Sequence, residues 1–212
     1  MRKLRCWVAS VMLTGGLLGA SAAHTQGVDP VQQFLQEGVT QYEAGVQAFN
    51  RGDYRGALER WRPLAEIGSV DAQNNLGFLY VNGLGVPQDY EAALKWYRRS
   101  AQQGNAAGQH NLGVMYARGL GVPENQDEAL TWYRRSADQG YPEAARSLGL
   151  VYHHGRGVAP DPLEAYMWFQ IAAQLGHPTA SQTASLLARD LAPEDIAEGR
   201  AKAARWLGER SR

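Results

Sequence analysis

The sequence predicts an all-α fold, an α/α solenoid (superhelix) of helix-turn-helix repeats closed by helical caps. Three observations carry this. Sliding the 212-residue chain against itself by 36 positions superimposes Trp96, Trp132 and Trp168, and also Gly104, Gly140 and Gly176. Residues 69–104 and 105–140 are identical at 20 of 36 positions, and residues 141–176 match the latter at 11 of 36 without a gap. Within each period two helical patterns flank a glycine-rich turn. A single hairpin of this kind cannot bury its apolar face alone, so neighbouring copies must stack.

Composition fits that reading: 44% hydrophobic content, 20% charged residues, ten Tyr and six Trp argue against disorder. With 21 basic and 21 acidic side chains there is no electrostatic attraction for nucleic acid. Residues 1–23 are expected to be a secretory signal. Arg2, Lys3 and Arg5 precede an uncharged stretch from Cys6 to Leu18, followed by the small-residue cluster Gly19 to Ala23, with cleavage near Ala22 or Ala23. Such a run is short for a bilayer core of about 30 Å, so no stable membrane insertion is expected after cleavage. Cys6 opens the apolar run rather than following it, which argues against a lipoprotein. Cleavage removes three of the 21 basic residues and leaves 18 against 21 acidic ones, a net charge near −3. It also removes the only cysteine, so the mature chain has neither disulfides nor thiol chemistry. The expected location is across the inner membrane, in the periplasm.

The elements follow in order. Residues 24–40 read as a linker and the start of a capping helix, with Asp29 as N-cap, Pro30 at the first helical position and Val31, Phe34 and Leu35 opening an apolar face. Residues 41–68 form a degenerate unit in which Trp61 falls where Tyr97 falls in the next. In the full units 69–104, 105–140 and 141–176, the first helix carries a buried stripe: Ala72, Leu76 and Tyr80, then Gly108, Leu112 and Tyr116, then Ala144, Leu148 and Tyr152. Gly77 beside Leu76 costs a helix about 1 kcal/mol, which implies that a neighbouring helix approaches closely there. In the second helix Ala93, Trp96, Tyr97, Ser100 and Ala101 share one face and leave Lys95, Arg98 and Arg99 in water, so the Trp and Tyr rings are expected in the core.

The turns Gly83-Leu84-Gly85-Val86-Pro87, Gly119-Leu120-Gly121-Val122-Pro123 and Gly155-Arg156-Gly157-Val158-Ala159-Pro160 supply a left-handed residue, a tight reversal and a stop. A helix rather than a strand precedes each, so none is a phosphate-binding loop. Residues 177–212 read as C-terminal capping helices. Ala184 and Ser185 replace the Leu-Gly pair, and a last helix begins at Pro193 with an apolar face of Ala201, Ala204 and Leu207.

The pattern A-x-x-x-L-G-x-x-Y-x-x-G-x-G-V followed by A-x-x-W-Y-x-x-A-A-x-x-G, met nearly in full by residues 72–104 and 108–140, resembles that of Sel1-like repeats, relatives of the tetratricopeptide repeat. Residues 144–176 resemble a third copy, with Phe169 in the tyrosine place and a variant turn at Ala159-Pro160. The resemblance implies an α/α superhelix that acts as a binding scaffold. Some cysteine-rich relatives have been called penicillin-binding or β-lactamase-like; this chain has neither their repeat cysteines nor an S-x-x-K pair.

No H-E-x-x-H, G-x-S-x-G or P-loop occurs, so no catalytic residue and no cofactor are expected. The adjacent His153 and His154 would point about 100° apart on a helix, so no metal site is expected either. In helical solenoids the first helix of each unit tends to line the concave side. The positions off the buried stripe there are Asn75, Phe78 and Asn82, then Asn111, Val114 and Arg118, then Ser147, Leu150 and His154. Asn amides can grip an extended backbone at both ends, and Phe78, Val114 and Leu150 offer apolar contact. Equally, the asparagines can satisfy nearby turn carbonyls. The expected function is a scaffold that holds a protein or peptide partner on this face and assembles an envelope complex. A cell-wall protein, binding or hydrolysing muropeptide or β-lactam related material, is the second reading.

Overall fold

The computed structural model describes residues 29–210, and the expected signal segment lies outside them. Among the described residues all regular structure is helical: α1 (Pro30–Asn50), α2 (Tyr54–Glu66), α3 (Val70–Asn82), α4 (Tyr90–Gln102), α5 (Ala106–Arg118), α6 (Gln126–Ala137), α7 (Pro142–His154), α8 (Pro162–Gln174), α9 (Ala180–Leu187) and α10 (Pro193–Arg210). The fold is the helix-turn-helix array that the 36-residue period predicts. It divides into two compact units, one ending at Gln103 and the other beginning at Gly104.

Helix ends follow local chemistry. The side chains of Asp29, Asp53, Ser69 and Asp89 each accept a backbone N–H in the first turn of the helix they precede. Such caps satisfy donors that have no intrahelical partner. Gly83, Gly119 and Gly155 close α3, α5 and α7 at φ of 64°, 64° and 67°, where a side chain would be strained. The second turn glycine serves a different need: a Cβ on Gly85 would stand 2.5 Å from the backbone at Tyr54 and Arg55, so the turn lies directly on the start of α2.

In the first unit α2 packs on α1, α3 on α2 and α4 on α3. Its core holds Ala48, Ala57, Leu58, Trp61, Leu64, Ala65, Ala72, Leu76 and Leu79. The glycine of the Leu-Gly pair has a specific occupant. A Cβ on Gly77 would sit 2.6 Å from the Tyr97 ring, and a Cβ on Gly45 would collide with the Trp61 indole. In the second unit Gly113 meets Tyr133 and Gly149 meets Phe169 in the same way. The close approach expected at these glycines is thus made by one aromatic ring per hairpin.

Two expectations about faces need correction. Trp96 and Trp132 are only half-buried, whereas Tyr97 and Tyr133 are 4% and 5% exposed. The ring that enters the hairpin is the tyrosine. The indole lies at the margin, under a guanidinium: Arg99 Cζ stands 5.0 Å from the Trp96 ring and Arg135 Cζ 4.7 Å from Trp132. In α10, Ala201 and Ala204 are exposed, and the buried face is Gly199 and Ala203, with Ile196, Trp206 and Leu207 half-buried. The rotation puts Gly199 against the Tyr166 ring, where a Cβ would stand 2.7 Å away, and Arg200 Nε then donates to Tyr166 Oη at 3.1 Å and Lys202 Nζ to Glu164 at 3.0 Å.

The hairpins also contain partly buried polar links. Ser100 Oγ donates to the Val70 carbonyl at 2.8 Å and Ser136 Oγ to that of Ala106 at 2.7 Å. Gln103 Nε2 donates to Gln73 Oε1 at 2.8 Å, and Gln139 Nε2 to Gln109 Oε1 at 2.7 Å. Each serine holds the first turn of the preceding helix, and each glutamine pair joins the two helices of a hairpin.

Candidate functional site

Each unit carries polar positions on its first helices, and these positions differ between the units. On α3 of the first unit, Asn75 is half-buried and its Nδ2 donates to Tyr42 Oη at 3.2 Å. Burial pushes the Tyr42 phenol above its usual pKa, the Asp71 carboxylate adds to this, and the Asn75 bond opposes it. Phe78 is 42% exposed, with its ring edge-on to Phe49 at 5.9 Å. Asn82 Nδ2 donates to the Phe78 carbonyl on its own helix at 2.8 Å. Of these residues Phe78 offers the open apolar surface, while both asparagine amide nitrogens are already engaged.

In the second unit α5 and α7 face each other through His110, which the sequence reading left out. His110 Nε2 is hydrogen-bonded to Ser147 Oγ at 3.1 Å, and its ring lies 5.6 Å from both Tyr133 and Tyr141. Asn111 adds a side-chain hydrogen bond to the imidazole. Burial drives the His110 pKa down to about 4; Arg146 pushes the same way, while the Asn111 bond and the Glu143 carboxylate oppose it. The imidazole is therefore neutral at pH 7. Burial likewise drives the Tyr133 phenol up to about 12, against the opposing pull of Arg118 and Arg156.

Beside this pair, Glu143 Oε2 and Arg146 Nε are buried with no hydrogen-bond partner. Leaving such groups unpaired costs about 1–3 kcal/mol each, so native structures keep few of them. The remaining positions lie apart from the cluster. Val114 packs against the core of the unit, and Leu150 against a smaller cluster of Ala165, Tyr166, Phe169 and Ala184. Arg118 is exposed at the end of α5, and His154 is exposed with its ring 4.7 Å from that of His153. Among the described residues no three His, Cys, Asp or Glu side chains stand together as a metal site, and no helix is long and apolar enough to cross a membrane.

The structure thus joins Asn111 and Ser147 through His110, and Asn75 through Tyr42. A period signal for the first link exists: Ser147 lies 37 residues from His110, one repeat and one residue further along.

Helical hairpins of fixed period, each closed by one aromatic ring over a glycine, define a helical repeat protein. The model of the Sel1 repeat matches residues 70–105, 106–141 and 142–177, and the chain belongs to this family. A solved Sel1 repeat protein from Oxalobacter formigenes is 30% identical, over 78% of this chain and 68% of that one, with a TM-score of 0.64. A protective antigen of uropathogenic Escherichia coli that displays an SLR fold is 23% identical, over 84% of this chain, with a TM-score of 0.57. This chain spans about half of that antigen, 47% of its length. No curated protein matches the sequence. The Sel1 repeat fold is generally a protein–protein interaction scaffold, and family members are typically non-enzymatic.

Proposed function

We propose that this protein is an exported bacterial scaffold, working in the periplasm, which holds a protein or peptide partner against the first helices of its repeats. The observation that carries the reading is Phe78. A large ring 42% exposed, backed by Phe49 and on the same helix as Asn75 and Asn82, offers a partner an aromatic contact with polar side chains on its own helix. Export rests on the charged and apolar pattern of residues 1–23.

The test is photo-crosslinking in the native bacterium from a reactive amino acid placed at position 78. A discrete polypeptide partner is expected, together with a mature N-terminus between Ala22 and His24 by mass spectrometry. The purified Phe78→Asp chain should lose only several °C of melting temperature, through the Phe49 contact and the acidic charge near the helix end, stay folded, and bind that partner at least tenfold more weakly. Equal binding by Phe78→Asp removes this face from the function, and an intact Met1 removes the export step.

A further inference from the structure

We propose that the second unit carries a binding site for a phosphate monoester, in which the guanidinium groups of Arg118 and Arg156 and the hydroxyl of Tyr133 supply the hydrogen-bond donors. The site is independent of the scaffold reading and neither rests on it nor falls with it.

Tyr133 forms the floor. Its ring lies over Gly113, where an added Cβ would stand 2.7 Å away, and the residue is 5% exposed. Its Oη makes no hydrogen bond among the described residues, yet it is not one of the polar atoms shut off from solvent, so the small exposed fraction includes the hydroxyl. This is a buried phenol whose one free donor still meets solvent. Burial also keeps its proton in place at neutral pH, so it can donate to an anion.

The positive charges of Arg118 and Arg156 both bear on that hydroxyl, and no carboxylate is among the groups acting on it. The backbone fixes where the two side chains start. Arg118 ends α5, and Arg156 stands between Gly155 and Gly157, whose φ are 67° and 73°. The start of α6 ties these points together: Gln126 Nε2 donates to the Ala117 carbonyl at 3.0 Å, and a Cβ on Gly157 would stand 2.7 Å from the Gln126 Cβ. Both arginines are exposed, and neither side chain makes an ion pair or hydrogen bond among the described residues.

The sequence sets this place apart from its repeats. One period earlier the two arginine positions hold Asn82 and Leu120, and in the turn before that Leu84 packs against the core of the first unit. At position 156 an apolar turn residue is exchanged for a guanidinium near a second one, and like charges repel until an anion joins them. The donors also select the anion. Two guanidiniums bring two positive charges and planar forks, and the phenol adds a third direction. A phosphate monoester brings nearly two negative charges and three strong acceptor oxygens, whereas a carboxylate brings one charge and two oxygens.

The test is calorimetric titration of the purified chain with phenyl phosphate at low salt and about pH 7.5, where the monoester is a dianion. Binding is expected, at least about tenfold tighter than that of acetate. Arg156→Leu restores the leucine of the other two turns, and Arg118→Asn restores the residue of the preceding repeat. Each should leave the fold intact and weaken binding at least about tenfold. Tyr133→Phe keeps the ring over Gly113 and removes only the hydroxyl, which should weaken binding about threefold or more. Arg135→Ala, an exposed arginine of α6 outside the cluster, should change the Kd less than about twofold.

Phosphatidylcholine vesicles containing phosphatidic acid identify the source of the group. Flotation with them that is lost in Arg156→Leu assigns the site to a lipid headgroup, and phenyl phosphate binding without flotation assigns it to a soluble ester. Absence of phenyl phosphate binding overturns the inference. So does an Arg135→Ala loss equal to that of Arg156→Leu, which marks attraction to charge in general. An unchanged Kd in Tyr133→Phe overturns it as well, because the hydroxyl is then no part of the site.

Discussion

The hairpins α5–α6 and α7–α8 occupy successive copies of one repeat, yet they are held together by different chemistry. In the first, Gln109, Ser136 and Gln139 take part in partly buried hydrogen bonds, and the ring over Gly113 is a tyrosine. One period later these positions hold Ala145, Ala172 and Leu175, and the ring over Gly149 is Phe169. The polar set has been exchanged as a group. That is the expected pattern for groups that satisfy one another, since removing a single partner strands the rest in an apolar setting. The apolar version is the one covered by α10, whose Trp206 stacks edge-on against Trp168 at 5.5 Å. A hairpin that faces another repeat keeps the polar links; the hairpin that meets the terminal cap can be closed by packing alone.

The largest expected effect tests the apolar side. Trp168 is 7% exposed, and its repeat equivalent Trp132 is half-buried. Trp168→Ala should therefore destabilise the protein by about 3–5 kcal/mol, read as a shift of the denaturant midpoint. Trp168→Phe should cost much less, because it deletes the buried indole N–H that has no partner along with the lost volume. If Trp168→Ala is tolerated as a surface change would be, α10 does not close this hairpin.

A second difference at equivalent positions concerns charge: α5 carries His110 where α7 carries Arg146. The folded state holds the imidazole at a pKa of about 4, below the 6.5 of an unperturbed histidine, so the unfolded chain binds the proton more readily. The stability linked to His110 is complete above about pH 6.5 and is lost as the pH falls through that value toward 4. The total is at most about 3.5 kcal/mol, from about 1.4 kcal/mol per pKa unit over about 2.5 units. Urea titrations between pH 7 and 4 should show this slope in the native chain and a flatter one in His110→Gln. The same slope in both would assign the acid sensitivity elsewhere.

These contrasts mark how far the sequence could be read. The period and the turn glycines give the helices and their order, because both signals are local and repeat. The face of a helix is harder. Trp96 and Tyr97 are adjacent on one arc, and the hydrophobic spacing accepts either as the inward ring. The choice is made by the Leu-Gly notch of the partner helix, where a tyrosine ring fits against Gly77. In α10, Ala201 and Ala204 satisfy an apolar stripe on paper, yet the face that packs is the one where Gly199 admits the Tyr166 ring, and it brings Lys202 to Glu164 and Arg200 to Tyr166. The candidate site shows the same limit. Asn75, Asn111 and Ser147 were visible as polar positions off the stripe, while Tyr42 and His110, which bond to them, belong to a neighbouring helix or carry no mark of their own.

The smallest effect closes the comparison on its polar side. Trp132, aligned with the other tryptophans by the period, was expected in the core, and as a core residue its loss would cost as much as that of Trp168. The structure gives it two marginal contacts instead: its Nε1 donates to Glu128 at 3.1 Å, and Arg135 lies over its face at 4.7 Å. An exposed guanidinium on an indole contributes about 0.5–1 kcal/mol, and a helical hydrogen bond to an exposed carboxylate adds little. Trp132→Ala should therefore cost about 1 kcal/mol, and Arg135→Ala only part of that. In the Trp132→Ala background the Arg135→Ala effect should vanish, because the ring is the arginine's partner. Denaturant midpoints of the two single variants and the double variant form the cycle that measures this. A Trp132→Ala loss as large as that of Trp168→Ala would mean that both hairpins are closed through their tryptophans, and the division between polar linkage and apolar packing would fail at its most directly matched position.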